Sequence, residues 1–398
     1  MEAARPTTDA SNQPRREVPF YQPDVGEEEI QAVTETLRSG WLTVGPRTLE
    51  FEQTFAAAVD APLAIGVNSC TAALHLALDS LCLAPDDEVI TTSLTFTATG
   101  ATIFHAGGRP VLADCCPETY NIDPADVVRK ITSRTRAIVP VHFAGHPAAM
   151  DEILAIAREH RLVVIEDAAH AVPASYRGRK VGSIGDMTAF SFYATKNLTT
   201  GEGGMLTLAD AEVADRIRMR RLHGMSRDAW KRYSSVGSWR YDVSSAGFKY
   251  NMTDAAASMG LVQLRRLPEM HARRLQIAAL YTSLLGDCEE IELQTIRPDV
   301  ESGWHLFVVR VRPERLRIDR DELIEGMKAE GVGTSVHFIP LHMHSFYRRA
   351  LGVRDEDLPV ATAIGNSIFS LPFYTRMSDA DVVYVADALK RVIGAERR

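Results

Sequence analysis

Between Leu63 and Leu208, short apolar runs alternate with stretches of helical spacing. The runs are Leu63–Val67, Glu88–Thr92, Pro110–Leu112, Arg136–Val141, Leu162–Ile165, Met187–Phe192 and Gly204–Leu208. Between them, Thr71–Leu81, Thr97–His105, Pro124–Lys130 and Met150–His160 carry apolar residues at three- and four-residue intervals. Runs of this length, closed by small or polar residues, predict strands buried on both faces. The pattern therefore predicts α/β architecture around a largely parallel sheet covered by helices. Ligands of such sheets bind beyond the carboxyl ends of the strands, where Ser69, Asp167 and Ser191 fall.

Outside that region the texture differs. Residues 1–17 are rich in Pro, Thr, Asn, Gln and charge, and predict a flexible tail. Helices are expected over Glu27–Arg38, ended by Gly40, and over Arg47–Val59. A long helix, Asp254–Leu284, is expected to break at Pro268 and lead away from the sheet. Beyond it, strand Trp304–Val311, helix Asp319–Glu330, strand Thr334–Phe338 and helix Asp379–Ile393 predict a smaller α+β unit. The expected division is a tail at 1–17, a large domain at 18–260, and a small C-terminal domain with its linking helix at 261–398.

Charge and cysteine content narrow the function. A net charge of −8 over 398 residues argues against nucleic-acid and anionic-membrane partners. Five cysteines without regular spacing form no disulfide framework and no zinc motif. No signal peptide or spanning run is apparent, so a soluble cytoplasmic protein is expected. His337, His342 and His344 match no metal signature, so no metal is expected; His337 and His342 are candidates for contact with substrate.

The chemistry concentrates around Lys196. It lies in Ser191-Phe192-Tyr193-Ala194-Thr195-Lys196-Asn197, after Glu166-Asp167-Ala168-Ala169-His170 and before Gly201-Glu202-Gly203-Gly204. An amine, a carboxylate and glycine-rich turns in that order suit pyridoxal phosphate: the amine holds the aldehyde as a Schiff base, and the acid keeps the ring nitrogen protonated. Each residue also has a plainer reading. Lys196 as a surface lysine, Asp167 and Ser69 as helix caps, His170 as a structural histidine and Phe96 as a core aromatic all stay open. Gly66-Val67-Asn68-Ser69-Cys70-Thr71 joins a strand to a helix, and a helix start suits a phosphate. Arg220, Arg221, Arg227, Lys231 and Arg232, with Trp230 and Tyr233 among them, are either a solvated helix face or a grip for a diphosphate and its base.

With these residues in view, the chain resembles the DegT/DnrJ/EryC1/StrS sugar aminotransferases, members of the aspartate-aminotransferase fold (fold type I). The resemblance runs from about Val18 to the C-terminus. It rests on Gly40-Trp41-Leu42-Thr43-Val44-Gly45-Pro46, Asn68 to Leu74, Glu166 to Ala171, Ser191 to Asn197, Gly201 to Gly204 and Tyr250-Asn251-Met252-Thr253-Asp254. It implies a large domain with a mostly parallel seven-stranded sheet between helices and a smaller C-terminal α+β domain. It also implies site roles. Lys196 holds the cofactor, Asp167 meets the pyridine nitrogen, Phe96 stacks on the ring, and His170 meets its other face or its hydroxyl. Ser69, Cys70, Thr71 and Ser191 bind the phosphate. Asn251 reaches the cofactor phosphate of a neighbouring subunit, which implies a homodimer with shared sites.

The implied reaction moves an amino group from L-glutamate to a keto sugar carried on a nucleoside diphosphate, at C4 of a 4-keto-6-deoxy sugar. It runs in two half-reactions (PLP to PMP and back). Cys70 stands where glycine is frequent in that family. His142-Phe143-Ala144-Gly145-His146 departs from its usual pattern, at positions expected near the substrate. A sugar dehydratase of the same family and a non-catalytic regulator are the competing readings. Lys196, where the dehydratases have histidine, favours transamination.

Overall fold

The computed structural model describes residues 16–225 and 242–398. In chain order the strands are β1 (Leu63–Val67), β2 (Glu88–Thr92), β3 (Arg109–Ala113), β4 (Thr135–Val139) and β5 (Val163–Asp167). A short hairpin, β6 (Ser175–Tyr176) and β7 (Arg179–Lys180), precedes β8 (Met187–Ser191) and β9 (Gly204–Leu208). Seven of these form one sheet in the order β1-β9-β8-β5-β4-β2-β3. Only β9 runs against its neighbours in that sheet; the pairs from β8 to β3 are parallel.

Helices α1 (Glu27–Ser39) and α2 (Pro46–Ala58) precede the sheet. The crossovers are α3 (Cys70–Asp79), α4 (Thr97–His105), α5 (Pro124–Lys130) and α6 (Met150–His160), and α7 (Ala211–Arg220) follows β9. Each crossover returns the chain so that the next parallel strand starts at the same end. Strands β2, β8 and β9 are buried at every residue, as expected of a sheet covered on both faces.

The predicted break at Pro268 does not occur. Helix α8 runs unbroken from Asp254 to Leu285, 32 residues, with Pro268 inside it. Proline removes one backbone hydrogen bond, but apolar residues on both sides of it hold the helix in place. Leu264, Leu267 and Met270 enter the core under the large sheet, whereas Ile277, Ala278, Tyr281 and Leu285 enter a second core. The expected boundary at 260/261 thus falls within this helix, which passes from one core to the other between Met270 and Ile277.

The second core lies on a small antiparallel sheet. Its strands are β10 (Ile291–Leu293), β12 (Phe307–Val311) and β13 (Ile368–Leu371), while β11 (Val300–Glu301) pairs with β6 instead. Helices α9 (Arg320–Ala329) and α12 (Asp379–Ala395) cover it, and α10 (Ser345–Leu351) and α11 (Pro359–Ser367) lie between them in sequence. The expected strand Thr334–Phe338 is absent. Within it only Ser335 makes a bridge, to Ser370, while Val332 just before it bridges Val18 instead, so no continuous ladder forms.

Residues 1–15 of the expected tail lie outside the described residues. From Arg16 the chain is tied down: Arg16 pairs with Asp381, and Val18 is buried in the second core. The N-terminal arm therefore packs first on the C-terminal half before α1 joins α8.

Candidate active site

Strand register assembles the site. Ser191 pairs with Gly204, Gly204 with Val67, and Val67 with Asn251, so four separate sequence motifs share one row at one end of the sheet. Two residues past Val67, Ser69 caps α3, its Oγ accepting from the Ala72 N–H at 3.1 Å. A Cβ on Gly204 would lie 2.5 Å from the Ser69 carbonyl carbon and 2.6 Å from the Cys70 nitrogen. Only glycine lets β9 pass so close to the start of α3, whose first N–H groups have no partner within the helix. Cys70 is buried there and Thr71 is exposed. The Asn251 side chain accepts from Lys249 Nζ at 2.6 Å and donates to the Met252 carbonyl at 3.2 Å.

Asp167 ends β5 and is buried. Thr99 Oγ1 donates to Oδ2 at 2.8 Å, and the Ala169 N–H donates to Oδ1 at 3.1 Å. Burial still lifts its carboxyl above the ordinary 3.8, against those bonds and the nearby Lys196 charge. Phe96 occupies the N-cap position of α4, one turn before Thr99, so a single helix start delivers both residues. The Phe96 ring is 57% exposed and meets Phe338 at a centroid distance of 5.9 Å.

Lys196 follows β8 on a turn closed by its own N–H, which donates to the Tyr193 carbonyl at 2.9 Å. Its side chain keeps intermediate solvent exposure, yet enough protein surrounds it that desolvation draws the amine from 10.5 down to about 8. Cys70 and Asp167 pull the other way. An amine crowded by protein but open on one side is a recess, not a surface position.

Three histidines share that recess. Burial, with the Lys196 charge, pushes His170 and His305 well below the ordinary 6.5 and takes His337 to about 4. The His170 ring lies 4.4 Å from that of His305 and is stacked with Phe338 at 5.7 Å. The His337 Nδ1 meets Ser370 Oγ at 3.0 Å, and its ring stacks on Phe20 at 5.6 Å.

The residues present fit pyridoxal phosphate. His170 Nδ1 is a buried polar atom with no partner among the described residues. Asp167 is a buried carboxylate with one protein donor on each oxygen, which leaves further lone pairs to face a cation. Phe96 offers a bare aromatic face beside a buried polar cluster, a costly arrangement unless something flat covers it.

Other expectations meet a different outcome. His342 is fully buried, with Nδ1 2.6 Å from Ser93 Oγ and Nε2 2.9 Å from Thr362 Oγ1. Both nitrogens being engaged, it fastens α11 to the end of β2 and has none left for substrate. His142 and His146, expected near the substrate, are buried too. His142 Nε2 meets Glu166 at 2.9 Å and its Nδ1 accepts from the Ala148 N–H at 3.0 Å. His146 Nε2 accepts from the Arg297 N–H at 3.2 Å. Arg220 pairs with Asp79 and Arg221 with Glu52, which commits both to the fold. Arg227, Trp230 and Tyr233 lie outside the described residues. Among the described residues no cluster suited to a metal occurs, and His344 is exposed.

Sequence reading missed Asn197, Thr99, His305 and Phe338. Asn197 adjoins Lys196, and Thr99 follows Phe96 by one helical turn, so both had a signal in spacing. His305 and Phe338 come from the C-terminal half and reach the site only through the tertiary fold.

The buried histidines give a stability prediction. His146 and His337 titrate near 4, and His170 and His305 lower than the ordinary 6.5, all by desolvation. A depressed folded value means the unfolded chain binds more protons between 4 and 6.5. Their contribution is therefore complete above 6.5 and is lost as pH falls toward 4. Thermal unfolding of the apo-protein should show Tm falling as soon as pH drops below about 6.5, before the carboxylates titrate. A Tm that is flat down to about pH 5 would contradict it.

Comparison with known proteins adds to this geometry. The DegT/DnrJ/EryC1/StrS aminotransferase family matches residues 23–390. An uncharacterized protein of Methanocaldococcus jannaschii, MJ1066, is 50% identical over 380 residues, covering 96% of this chain and 98% of its own length. The spore coat polysaccharide biosynthesis protein SpsC of Bacillus subtilis is 50% identical over 377 residues, 94% of this chain and 97% of its own. A solved structure, the putative sugar aminotransferase Spr1654 of Streptococcus pneumoniae in its PLP form, superposes with a TM-score of 0.89 at 35% identity. That match covers 96% of this chain and 99% of the other, and a PMP form of the same protein superposes with a TM-score of 0.89.

Proposed function

The chain belongs to the DegT/DnrJ/EryC1/StrS aminotransferase family, and on that footing we propose that it transfers an amino group from L-glutamate to a keto sugar carried on a nucleoside diphosphate. It is an aminotransferase that depends on pyridoxal phosphate, and its architecture is fold type I of the enzymes using that cofactor. The observation that carries the proposal is the recess holding Lys196, with its amine drawn to about 8 next to buried Asp167.

When bound, pyridoxal phosphate supplies an aldehyde that accepts an amino group and a ring that withdraws electrons from the adjoining carbon. The chain's residues do the rest. Lys196 would hold the cofactor, and its freed amine takes the proton from the α-carbon of the donor. In the second half-reaction the same amine delivers a proton to the sugar carbon being aminated. An amine near 8 is suited to both tasks, since a neutral fraction exists near neutral pH and the proton is readily regained. Asp167, anchored by Thr99 and Ala169, would hold a cationic ring nitrogen. Phe96 would cover one ring face and His170 the other. Ser69, Cys70, Thr71 and Ser191 would take the phosphate at the start of α3, and His337 borders the side where substrate enters.

A homodimer with shared sites fits the surface. Ile30, Leu37, Leu42 and Leu49 are large apolar side chains left exposed on and beside α1 and α2. Asn251 would complete the phosphate site of a second copy. C4 of a 4-keto-6-deoxy sugar is the proposed position of amination. Among the described residues no helix is long and apolar enough to cross a membrane.

The test is direct. Purified protein is incubated with L-glutamate and a panel of nucleotide-linked keto sugars, and products are read by mass. An amino sugar together with 2-oxoglutarate supports the proposal. A deoxygenated sugar without nitrogen, formed whether or not glutamate is present, would refute it in favour of dehydration.

A further inference from the structure

Asn197 follows Lys196, and its side-chain amide is committed. Nδ2 donates to the Val172 carbonyl at 2.8 Å and to the Gly303 carbonyl at 2.5 Å. Both amide hydrogens being engaged, the orientation of the group is fixed and Oδ1 must act as acceptor. The atom facing Oδ1 is His305 Nδ1, at 3.2 Å. His305 is therefore protonated on Nδ1. Burial keeps the imidazole neutral, which leaves the lone pair on Nε2.

The rest of His305 is held as tightly. Its N–H donates to the Ala144 carbonyl at 2.9 Å, and Arg274 Nη1 reaches the carbonyls of Trp304 at 3.2 Å and His305 at 3.4 Å. The same guanidinium donates to the Phe373 carbonyl at 3.3 Å, tying the segment to the C-terminal half. The imidazole lies 4.4 Å from the His170 ring at an interplanar angle of 43°. His305 Nε2 has no partner among the described residues. One side chain thus touches both the residue after Lys196 and the ring of His170.

We propose that His305 is a positioning residue of the Lys196 site: its Nδ1–H fixes the Asn197 side chain and hence the turn that carries Lys196, and its ring sets the plane of His170. This rests on reading Lys196 as the residue that holds the cofactor. The connection also ties Lys196 to the Gly303-Trp304-His305 segment, so the orientation of the C-terminal half is read out at the amine.

The groups facing Lys196 are Cys70 at the start of α3, Asp167 at the end of β5, His170 in the following loop, and His305 and His337 from the C-terminal half. Moving the Lys196 turn changes its distance from all of them, so the protonation of its bound form is a sensitive reporter. Three variants of the holoenzyme separate positioning from packing. His305→Phe keeps a ring against His170 and removes the hydrogen bond. His305→Asn places an amide donor near the former Nδ1 and removes the ring. Asn197→Ala removes the acceptor.

The visible absorbance of cofactor bound to Lys196 is titrated in each. The midpoint should move by about one pH unit or more in His305→Phe and in Asn197→Ala, and by no more than about 0.3 in His305→Asn. In His305→Phe, kcat should fall about 10- to 100-fold with the KM for sugar little changed. A wild-type midpoint in His305→Phe overturns the proposal, as does a His305→Asn variant shifted as far as His305→Phe. Should His305→Phe fail to fold, Asn197→Ala decides alone by the same criterion. Borohydride reduction of the wild type keeps the two readings apart. Cofactor fixed on any peptide other than the one carrying Lys196 sinks the underlying assignment, whereas correct fixation with unmoved midpoints sinks His305 alone.

Discussion

Lys196→Ala should lose turnover by at least about 10⁴-fold, since one change removes both the anchor of the cofactor and the group that moves the proton. The size follows from the surroundings. Lys196 is the amine that desolvation has drawn to about 8, and no other lysine shows such a shift among the described residues. An exposed lysine, at its ordinary 10.5, would be almost entirely charged at neutral pH and would be a poor nucleophile and a poor base. The variant should fold, because the Lys196 side chain makes no hydrogen bond among the described residues and the turn is closed by its backbone N–H on Tyr193. It should also lack the visible band of lysine-bound cofactor. Steady-state rates with glutamate, with and without an added small primary amine, provide the check. Partial recovery by the amine is expected, and full activity without it would reject the role.

How much of this was readable from sequence depends on how local each feature is. Strand and crossover periodicity is local, and β1, β2 and β9 coincide with the expected apolar runs. The motif around Lys196 is local as well. The break at Pro268 was expected from one residue's missing donor, yet burial of Leu264, Leu267 and Met270 on the first core keeps α8 continuous. A strand is expected at 334–338 as part of the smaller α+β unit. In the fold, Val332 and Ser335 pair with segments more than thirty residues away, which no local pattern reports. His342 illustrates the same limit: it is a candidate for substrate contact in the sequence, but Ser93 and Thr362 enclose it. Conversely, His305 carries no motif. It becomes visible only when β12 brings the C-terminal half against Asn197. What sequence cannot provide here is the set of neighbours each buried polar atom acquires.

Asp167→Asn is the second change expected to be severe, with kcat reduced about 10²- to 10³-fold while the cofactor is still retained. The substitution is nearly isosteric, and its existing partners can be kept. The amide oxygen can still accept from the Ala169 N–H, and the amide nitrogen can donate to Thr99 Oγ1, whose own hydrogen can turn to Thr95 Oγ1 at 2.8 Å. What disappears is the negative charge. Burial already disfavours that charge, lifting the carboxyl above 3.8, so its retention in the core needs a cation to face it. Without it, a cationic ring nitrogen loses its counter-charge and the proton transfer at the substrate carbon loses its driving force. The sign at Lys196 follows too: Asp167 is one of the two groups holding that amine up, so its neutralisation should lower the amine further below about 8. Cofactor content, kcat with glutamate, and the pH dependence of cofactor capture by the apo-protein test all three consequences. Normal kcat in a variant that retains its cofactor would leave Asp167 as a helix cap and nothing more, whereas a loss confined to kcat, with capture shifted to lower pH, places the charge at the centre of the chemistry.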